Sequence, residues 1–279
     1  MKLNTKTLYI VSTPIGNLDD MTIRAVEVLK KVDVIICEDT RHSIKLLNHF
    51  KIKKKLISYH KFNEKKQITP IIEHFNQGKI LALISDAGTP TLSDPGSILL
   101  NEIIRRNLNI VPVPGVSAIT SAMSISGFSD KFLFYGFLPK KEKELEKTIE
   151  PLAKYHFSLI FFIPASKIKF YLKKFKKHFF DRRILIAKEI TKIHETFLRG
   201  TLGQIDISSL TLKGELTVVI SEKPFKKEPL DTIKIINKAK KFLKKYSLKD
   251  TVDLIMETEP ASKKKIYQIC LNLKNEKIN

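Results

Sequence analysis

Apolar residues in the first half of the chain come in short unbroken runs, separated by stretches where they recur every three or four positions. The runs at 7–12, 32–37, 56–59, 79–84 and 109–113 read as strands, most of them buried on both faces. Between them, Ile23, Val26 and Leu29 share one helical face, and Ile44, Leu47, Ile98, Leu99 and Ile103 mark two further helices. Helices are also predicted over 69–77, closing at Gly78, and over 118–126. Strands alternating with helices predict a mostly parallel sheet with right-handed crossovers. Near Gly127 the pattern changes: an aromatic strand at 132–138, a charged helix over 140–154, and strand-like runs at 158–163, 183–187 and 214–220. A basic, Pro-containing linker at 223–229 leads to three helices at 233–246, 248–257 and 261–274, the last two separated by Pro260. The expected fold class is α/β: an N-terminal α/β domain over 1–125 with a mostly parallel sheet, a second α/β domain over 126–225 with a mixed sheet, and a C-terminal helical region over 226–279.

The unusual residues stand at strand ends. The connection from Ile84 to Gly96, Ser85-Asp86-Ala87-Gly88-Thr89-Pro90-Thr91-Leu92-Ser93-Asp94-Pro95, is roughly twice the usual 2–6 residues of a βα loop. Its prolines fix φ, and Gly88 and Gly96 let the backbone turn tightly beside a ligand. Such a loop lies where open α/β sheets bind small molecules. Pro14 and Gly16 stiffen a second strand-end loop, and Pro114-Gly115-Val116-Ser117-Ala118 opens a later helix. A fourth connection, Glu38-Asp39-Thr40-Arg41-His42, sets two acids, a planar cation and an imidazole side by side. Arg41 suits bidentate contact with phosphate, and Asp39 or His42 is placed as a proton acceptor. The same cluster also reads as a helix cap with an ion pair.

Composition narrows the field. With 43% hydrophobic and 28% charged residues the chain is that of a globular protein. The formal charge of +21 comes from 50 basic against 29 acidic residues, and nearly all the basic ones are Lys. A phosphate-rich partner, RNA or DNA, accounts for that balance; so does a codon bias toward Lys, Ile and Asn. The C-terminal helices read either as a helix-turn-helix or as a cap with a solvated Lys face. No apolar stretch is long enough to span a bilayer and no signal-peptide pattern opens the chain, so no membrane partner and a cytoplasmic location are expected. Cys37 and Cys270 sit in apolar contexts without metal spacing, and neither disulfide nor metal is expected. Dinucleotide, Walker, nucleophile-elbow and zincin motifs are all absent.

Taken together and in order, Thr13-Pro14-Ile15-Gly16-Asn17-Leu18-Asp19-Asp20, Glu38 to His42, Ser85 to Gly96 and Val113 to Ala118 resemble the ribosomal RNA small subunit methyltransferase I family of the tetrapyrrole methylase superfamily. The resemblance runs over about 7–225 and more weakly into the helical tail. It implies two α/β domains of the tetrapyrrole methylase type, with S-adenosyl-L-methionine as cofactor in the cleft between them, and commonly a homodimer. It also implies methyl transfer to the ribose 2′-hydroxyl of a cytidine in the decoding region of 16S rRNA in the small ribosomal subunit. On that basis Pro14, Gly16, Asp86, Ala87, Gly88, Thr89, Pro114, Gly115, Ser117 and Ala118 are expected to wall the cofactor, Asp39 and His42 to serve catalysis, and Arg41, Lys188 and Lys192 to meet RNA. The stretches Lys188-Glu189, His194-Glu195-Thr196 and Lys213-Gly214-Glu215 match the family and are expected to line the cleft. One stretch departs: where the family has a Tyr-Glu-Ser-x-His-Arg-like run, this chain has Phe162-Ile163-Pro164-Ala165-Ser166-Lys167. Competing readings are a small-molecule tetrapyrrole methylase and a non-catalytic RNA-binding or ribosome-assembly factor.

Overall fold

The structure, a computed structural model, describes residues 2–224, 232–259 and 261–275. Most of the linker expected at 223–229, and Pro260, lie outside the described residues.

The first half alternates strand and helix: β1 (Thr7–Val11), α1 (Ile23–Lys31), β2 (Val34–Cys37), α2 (Thr40–His49), β3 (Lys55–Ser58), α3 (Glu64–Asn76), β4 (Leu81–Ile84), α4 (Ser97–Arg105), β5 (Asn109–Val113) and α5 (Ala118–Ser124). Its strands form a five-stranded sheet in the order β3-β2-β4-β1-β5, every neighbouring pair parallel. The unbroken apolar runs are explained by burial on both faces. In β1, Tyr9 and Val11 pack with Ala25, Val28 and Leu29 of α1, while Leu8 and Ile10 pack with Ile71 and Phe75 of α3 and Leu99 and Ile103 of α4. Each such fully buried side chain contributes roughly 1.5–3 kcal/mol. The third helix begins at Glu64, ahead of the expected start at 69, and carries Pro70 in its interior.

The second half holds β6 (Phe132–Phe137), α6 (Glu142–Leu152), β7 (Ser158–Pro164), α7 (Ile168–His178), β8 (Arg183–Lys188), β9 (Thr196–Thr201) and β10 (Glu215–Ile220). Its sheet runs β6-β7-β10-β8-β9 and is mixed: β6 and β7 are parallel, the other pairs antiparallel. The two helices α6 and α7 cover one face through Leu145, Ile149, Tyr171, Leu172 and Phe175. The other face, with Ile160, Leu185, Ala187 and Val219, is covered by Ile119 and Ala122 of α5. Although α5 follows the last strand of the parallel sheet, its body therefore belongs to the second core.

Met1–Lys223 forms one compact unit and Pro224–Asn279 another. In the latter α8 (Thr232–Phe242), α9 (Leu248–Thr258) and α10 (Lys263–Asn275) pack around Ile235, Ala239, Val252, Ile255, Ile266 and Cys270. Ser247 caps α9, accepting from the Asp250 N–H at 3.2 Å. Among the described residues no helix is long and apolar enough to cross a membrane.

Candidate functional site

Strands β1 and β4 are neighbours, yet the chain leaves β1 toward α1 on one face of the sheet and β4 toward α4 on the other. A crevice opens at the carboxyl ends of strands where the connections diverge in this way. The loops of β1 and β4 are tied together across it. Thr13 N–H donates to Gly88 O at 2.9 Å, and Gly88 N–H donates to Thr13 O at 3.0 Å. The Thr13 hydroxyl donates to Ser85 O at 3.1 Å, and the Ser12 and Thr89 hydroxyls pair at 2.9 Å. Gly88 holds φ at +75°, a conformation that only glycine adopts at no steric cost.

Above this crevice lies a cavity of about 290 Å³ between the two sheets. From the first half Ile15, the run Asp86 to Thr89, Leu92 to Asp94, and Ser117 to Ile119 of α5 line it. From the second come Phe137, Phe162, Ile163, Pro164, Ala187, Glu189, Ile190, Lys192 and Glu215 to Thr217. The volume is near the low end of small-molecule pockets, ~300–1,000 Å³.

The expected cofactor residues thus fall into two groups. Asp86, Ala87, Gly88, Thr89, Ser117 and Ala118 line the cavity. Pro14, Gly16, Pro114 and Gly115 do not line it. A Cβ on Gly16 would lie 2.8 Å from Thr191 Oγ1 and collide with Lys192 Cγ, and the Asn17 N–H donates to Thr191 Oγ1 at 3.1 Å. Gly16 therefore permits the β1 loop to close on the loop after β8. A Cβ on Gly115 would lie 2.8 Å from Ser12 Cβ, so that glycine seats the β5 turn against the end of β1.

The Glu38–His42 connection is built as a cap. Asp39 is the N-cap of α2 and accepts from the Arg41 N–H at 2.8 Å. The Arg41 guanidinium grips both of its carboxylate oxygens, at 3.1 and 2.8 Å, and together with the Arg41 backbone N–H holds the carboxyl down to about 2. A carboxylate so committed is a weak base. Arg41 is exposed, as is His42, and neither lines the cavity. The cluster touches the site through its backbone, the Asp39 N–H donating to Asp86 Oδ1 at 3.2 Å.

Of the lysines expected to meet RNA, Lys188 is only 6% exposed and donates to Thr211 Oγ1. A buried ammonium with a protein partner forms no part of a surface open to a polynucleotide. Lys192 lines the cavity and pairs with Glu189 Oε1 at 3.0 Å. In the departing stretch, Ile163 and Pro164 line the cavity, whereas Ser166 and Lys167 are exposed and do not.

Three acids complete the site: Asp94, in the loop after β4, and Glu189 and Glu215, from the stretches expected to line the cleft. Glu189 accepts from the Glu215 N–H and from Lys192, each at 3.0 Å; burial pushes its carboxyl up, but these partners outweigh it and hold the group low. Asp94 has no such cation. Burial first, and then the charges of Glu38, Asp86 and Glu215, push its carboxyl up to about 7, against a hydrogen bond from Ser85. The backbone around it is strained, with Thr91 at φ +74° and Ser93 at φ +72°. Left-handed conformations in non-glycine residues gather at functional sites, and Glu189 (φ +51°) and Thr191 (φ +68°) repeat the pattern across the cavity.

An acid-rich, partly apolar cavity with rigid backbone walls suits a small cationic ligand that also carries apolar and hydrogen-bonding parts. Among the described residues no cluster of His, Cys, Asp and Glu is arranged to hold a metal ion.

The tetrapyrrole (corrin/porphyrin) methylase family model matches residues 7–206. A ribosomal RNA small subunit methyltransferase I of Mesomycoplasma conjunctivae is 44% identical over 221 residues, covering 78% of this chain and 92% of the relative. The Neisseria meningitidis serogroup A protein of the same name is 34% identical over 275 residues, 97% of this chain and 94% of the relative. In fold, the chain is similar to the uroporphyrin-III C-methyltransferase of Thermus thermophilus solved with S-adenosyl homocysteine. The TM-score is 0.56 at 14% identity, covering 77% of this chain and 97% of that one.

Proposed function

The chain belongs to the ribosomal RNA small subunit methyltransferase I family of the tetrapyrrole methylases, and we propose that it is an S-adenosyl-L-methionine-dependent enzyme that methylates the ribose 2′-hydroxyl of a cytidine in the decoding region of 16S rRNA. The observation that carries the reading is the cavity at the β1/β4 crevice, walled by Gly and Pro loops and rimmed by Asp86, Asp94, Glu189 and Glu215.

The residues present fit the cofactor. Ile15, Leu92 and Phe162 offer apolar walls, the Asp86–Thr89 backbone offers polar groups at a glycine that brings the chain close, and the surplus of carboxylates favours a positive charge. Ile15, Asp86 to Thr89, Ser117, Ala118 and Ile190 are the residues that would hold it. When bound, S-adenosyl-L-methionine supplies a methyl group on positively charged sulfur, already reactive toward an oxygen lone pair. The protein's task is orientation, which is worth roughly 7–11 kcal/mol of barrier when the reacting atoms are held in line. The Thr13–Gly88 bridge, the Ser12–Thr89 hydroxyl pair and the Gly115 seat make the loops rigid enough for that work.

The substrate side rests on charge. The net +21, exposed Arg41, and lysines 240, 241, 244 and 245 at the end of α8, all exposed, suit a polyanion. A homodimer working in the cytoplasm completes the proposal. The test is tritiated methyl transfer to unmodified small subunits and to naked 16S rRNA, with alkali resistance mapped at the modified ribose. One 2′-O-methylcytidine is the expected product. Transfer to a tetrapyrrole instead, or cofactor binding without transfer to RNA, would sink the reading.

A further inference from the structure

Methyl transfer to a hydroxyl releases a proton, and the reading above leaves its acceptor open. The groups that line the cavity and can take a proton or already hold one are Asp86, Asp94, Glu189, Lys192 and Glu215. Glu189 and Lys192 are spent on each other, and Glu189 also accepts the Glu215 N–H. Asp86 accepts the Asp39 N–H. Outside the cavity, Asp39 is clamped by Arg41. Asp86, Asp94 and Glu215 all lack a cationic partner among the described residues; Asp86 is turned to the Asp39 backbone N–H, which leaves Asp94 and Glu215.

Between these two, the loop geometry singles out Asp94. It follows two left-handed non-glycine residues, Thr91 and Ser93, in a connection pinned at both ends. On one side the Gly96 N–H donates to Glu64 Oε1 at 3.0 Å, and a Cβ on Gly96 would lie 2.7 Å from Thr91 Cγ2. On the other, Gly136 lets β6 approach so closely that a Cβ there would lie 2.8 Å from Ser93 Oγ. Two glycines thus leave the space in which the strained loop fits, and strain of this kind persists only where the surroundings enforce it.

We propose that Asp94 is the catalytic proton acceptor of this site. As the O–CH₃ bond forms from a hydroxyl lone pair, the C–S bond of the methyl donor breaks with its electrons left on sulfur. The hydroxyl proton passes to the Asp94 carboxylate and from there to water. The charged groups facing Asp94 are Glu38 and Asp86 from the parallel sheet and Glu215 from the mixed sheet, with the Glu189–Lys192 pair across the cavity. Burial first, and then these three acids, raise its proton affinity toward neutrality, where a general base works best.

The proposal rests on the methyltransferase reading, and the experiment separates the two. Methyl transfer by the full chain to small subunits would be followed from pH 5.5 to 9 for the wild type, Asp94→Asn and Asp94→Glu, with S-adenosyl homocysteine binding measured by calorimetry on each. Wild-type kcat should rise through a midpoint near 7. Asp94→Asn should lose at least ~100-fold in kcat and the rising limb with it, while binding the cofactor product within about threefold of wild type. Asp94→Glu should recover part of the rate and the limb. Turnover of Asp94→Asn within about tenfold of wild type, or a loss of binding that matches the loss of rate, overturns the proposal and leaves the methyltransferase reading standing. No transfer by the wild type to any hydroxyl acceptor overturns both.

Discussion

Thr13 and Gly88 exchange two backbone hydrogen bonds, at 2.9 and 3.0 Å, although 75 positions separate them in the chain. This pair closes the crevice between β1 and β4 and places the Asp86–Thr89 turn as one wall of the cavity.

Gly88→Val tests that wall. A Cβ at this position meets only Ile15 Cγ2, at 3.4 Å, so the obstacle is conformational: φ of +75° is hostile to a β-branched residue. The variant should keep its fold by circular dichroism and lose S-adenosyl-L-methionine binding by at least tenfold in calorimetry. Binding at the wild-type level would reject the wall assignment.

Gly16→Ala tests the closure of the β1 loop on the loop after β8. The added methyl would sit 2.8 Å from Thr191 Oγ1 and against Lys192. Displacing these groups should lower the melting temperature by a few degrees, about 1–2 kcal/mol of overpacking. It should also weaken cofactor binding. An unshifted melting curve would show that the two loops do not press on each other in solution.

The state of Asp94 has a signature in stability. Its carboxyl stands at about 7 in the fold, above the usual carboxylate range, so the protonated form is favoured in the folded protein. The stability this contributes is complete below about pH 4 and is lost as the pH rises through 7. Asp94→Asn, which mimics the protonated form, should therefore be more stable than wild type at pH 8, by on the order of 2 kcal/mol once solvent screening of this half-exposed group has cut the full effect of the shift about in half, and no more stable at pH 4. Urea titrations at the two pH values give the comparison; a gain independent of pH would contradict the assignment.

Arg41→Ala should act on RNA affinity. If its exposed guanidinium meets a phosphate, the variant weakens 16S rRNA binding severalfold and lowers the salt slope by about 1 in filter-binding assays. The same change frees Asp39. Its carboxyl, held at about 2 by Arg41, should return toward the ordinary range, visible in a carboxyl NMR titration.

Much of the architecture was legible because its signals are local. The double-sided runs around Ile10, Ile35 and Leu83 announce a parallel sheet before any contact is known, and Ser247 announces the start of α9. One local signal went unused: Ile168, Tyr171, Leu172 and Phe175 stand at helical spacing and form the buried face of α7. The site was half legible. Gly88 and Ser117 stand in motifs whose residue types speak for themselves, but Asp94 and Glu215 face one cavity only because the two separate sheets come together around it. Both stand in stretches the sequence singles out, Ser85 to Gly96 and Lys213-Gly214-Glu215, but no local signal says that the two acids meet. Lys188 misled for the converse reason, since a lysine beside Glu189 reads as surface until β8 is seen lying between β10 and β9.

The position of α5 has a mechanical consequence. Ser117 and Ala118 at its start form part of the cavity wall, Val113 four residues earlier is locked in the parallel sheet, and Ile119 and Ala122 are embedded in the mixed-sheet core. The helix is thus a short crank joining the two halves, with the binding wall at its elbow. Any tilt of one sheet against the other must turn that elbow, so the grip on a bound ligand and the angle between the sheets vary as a single coordinate.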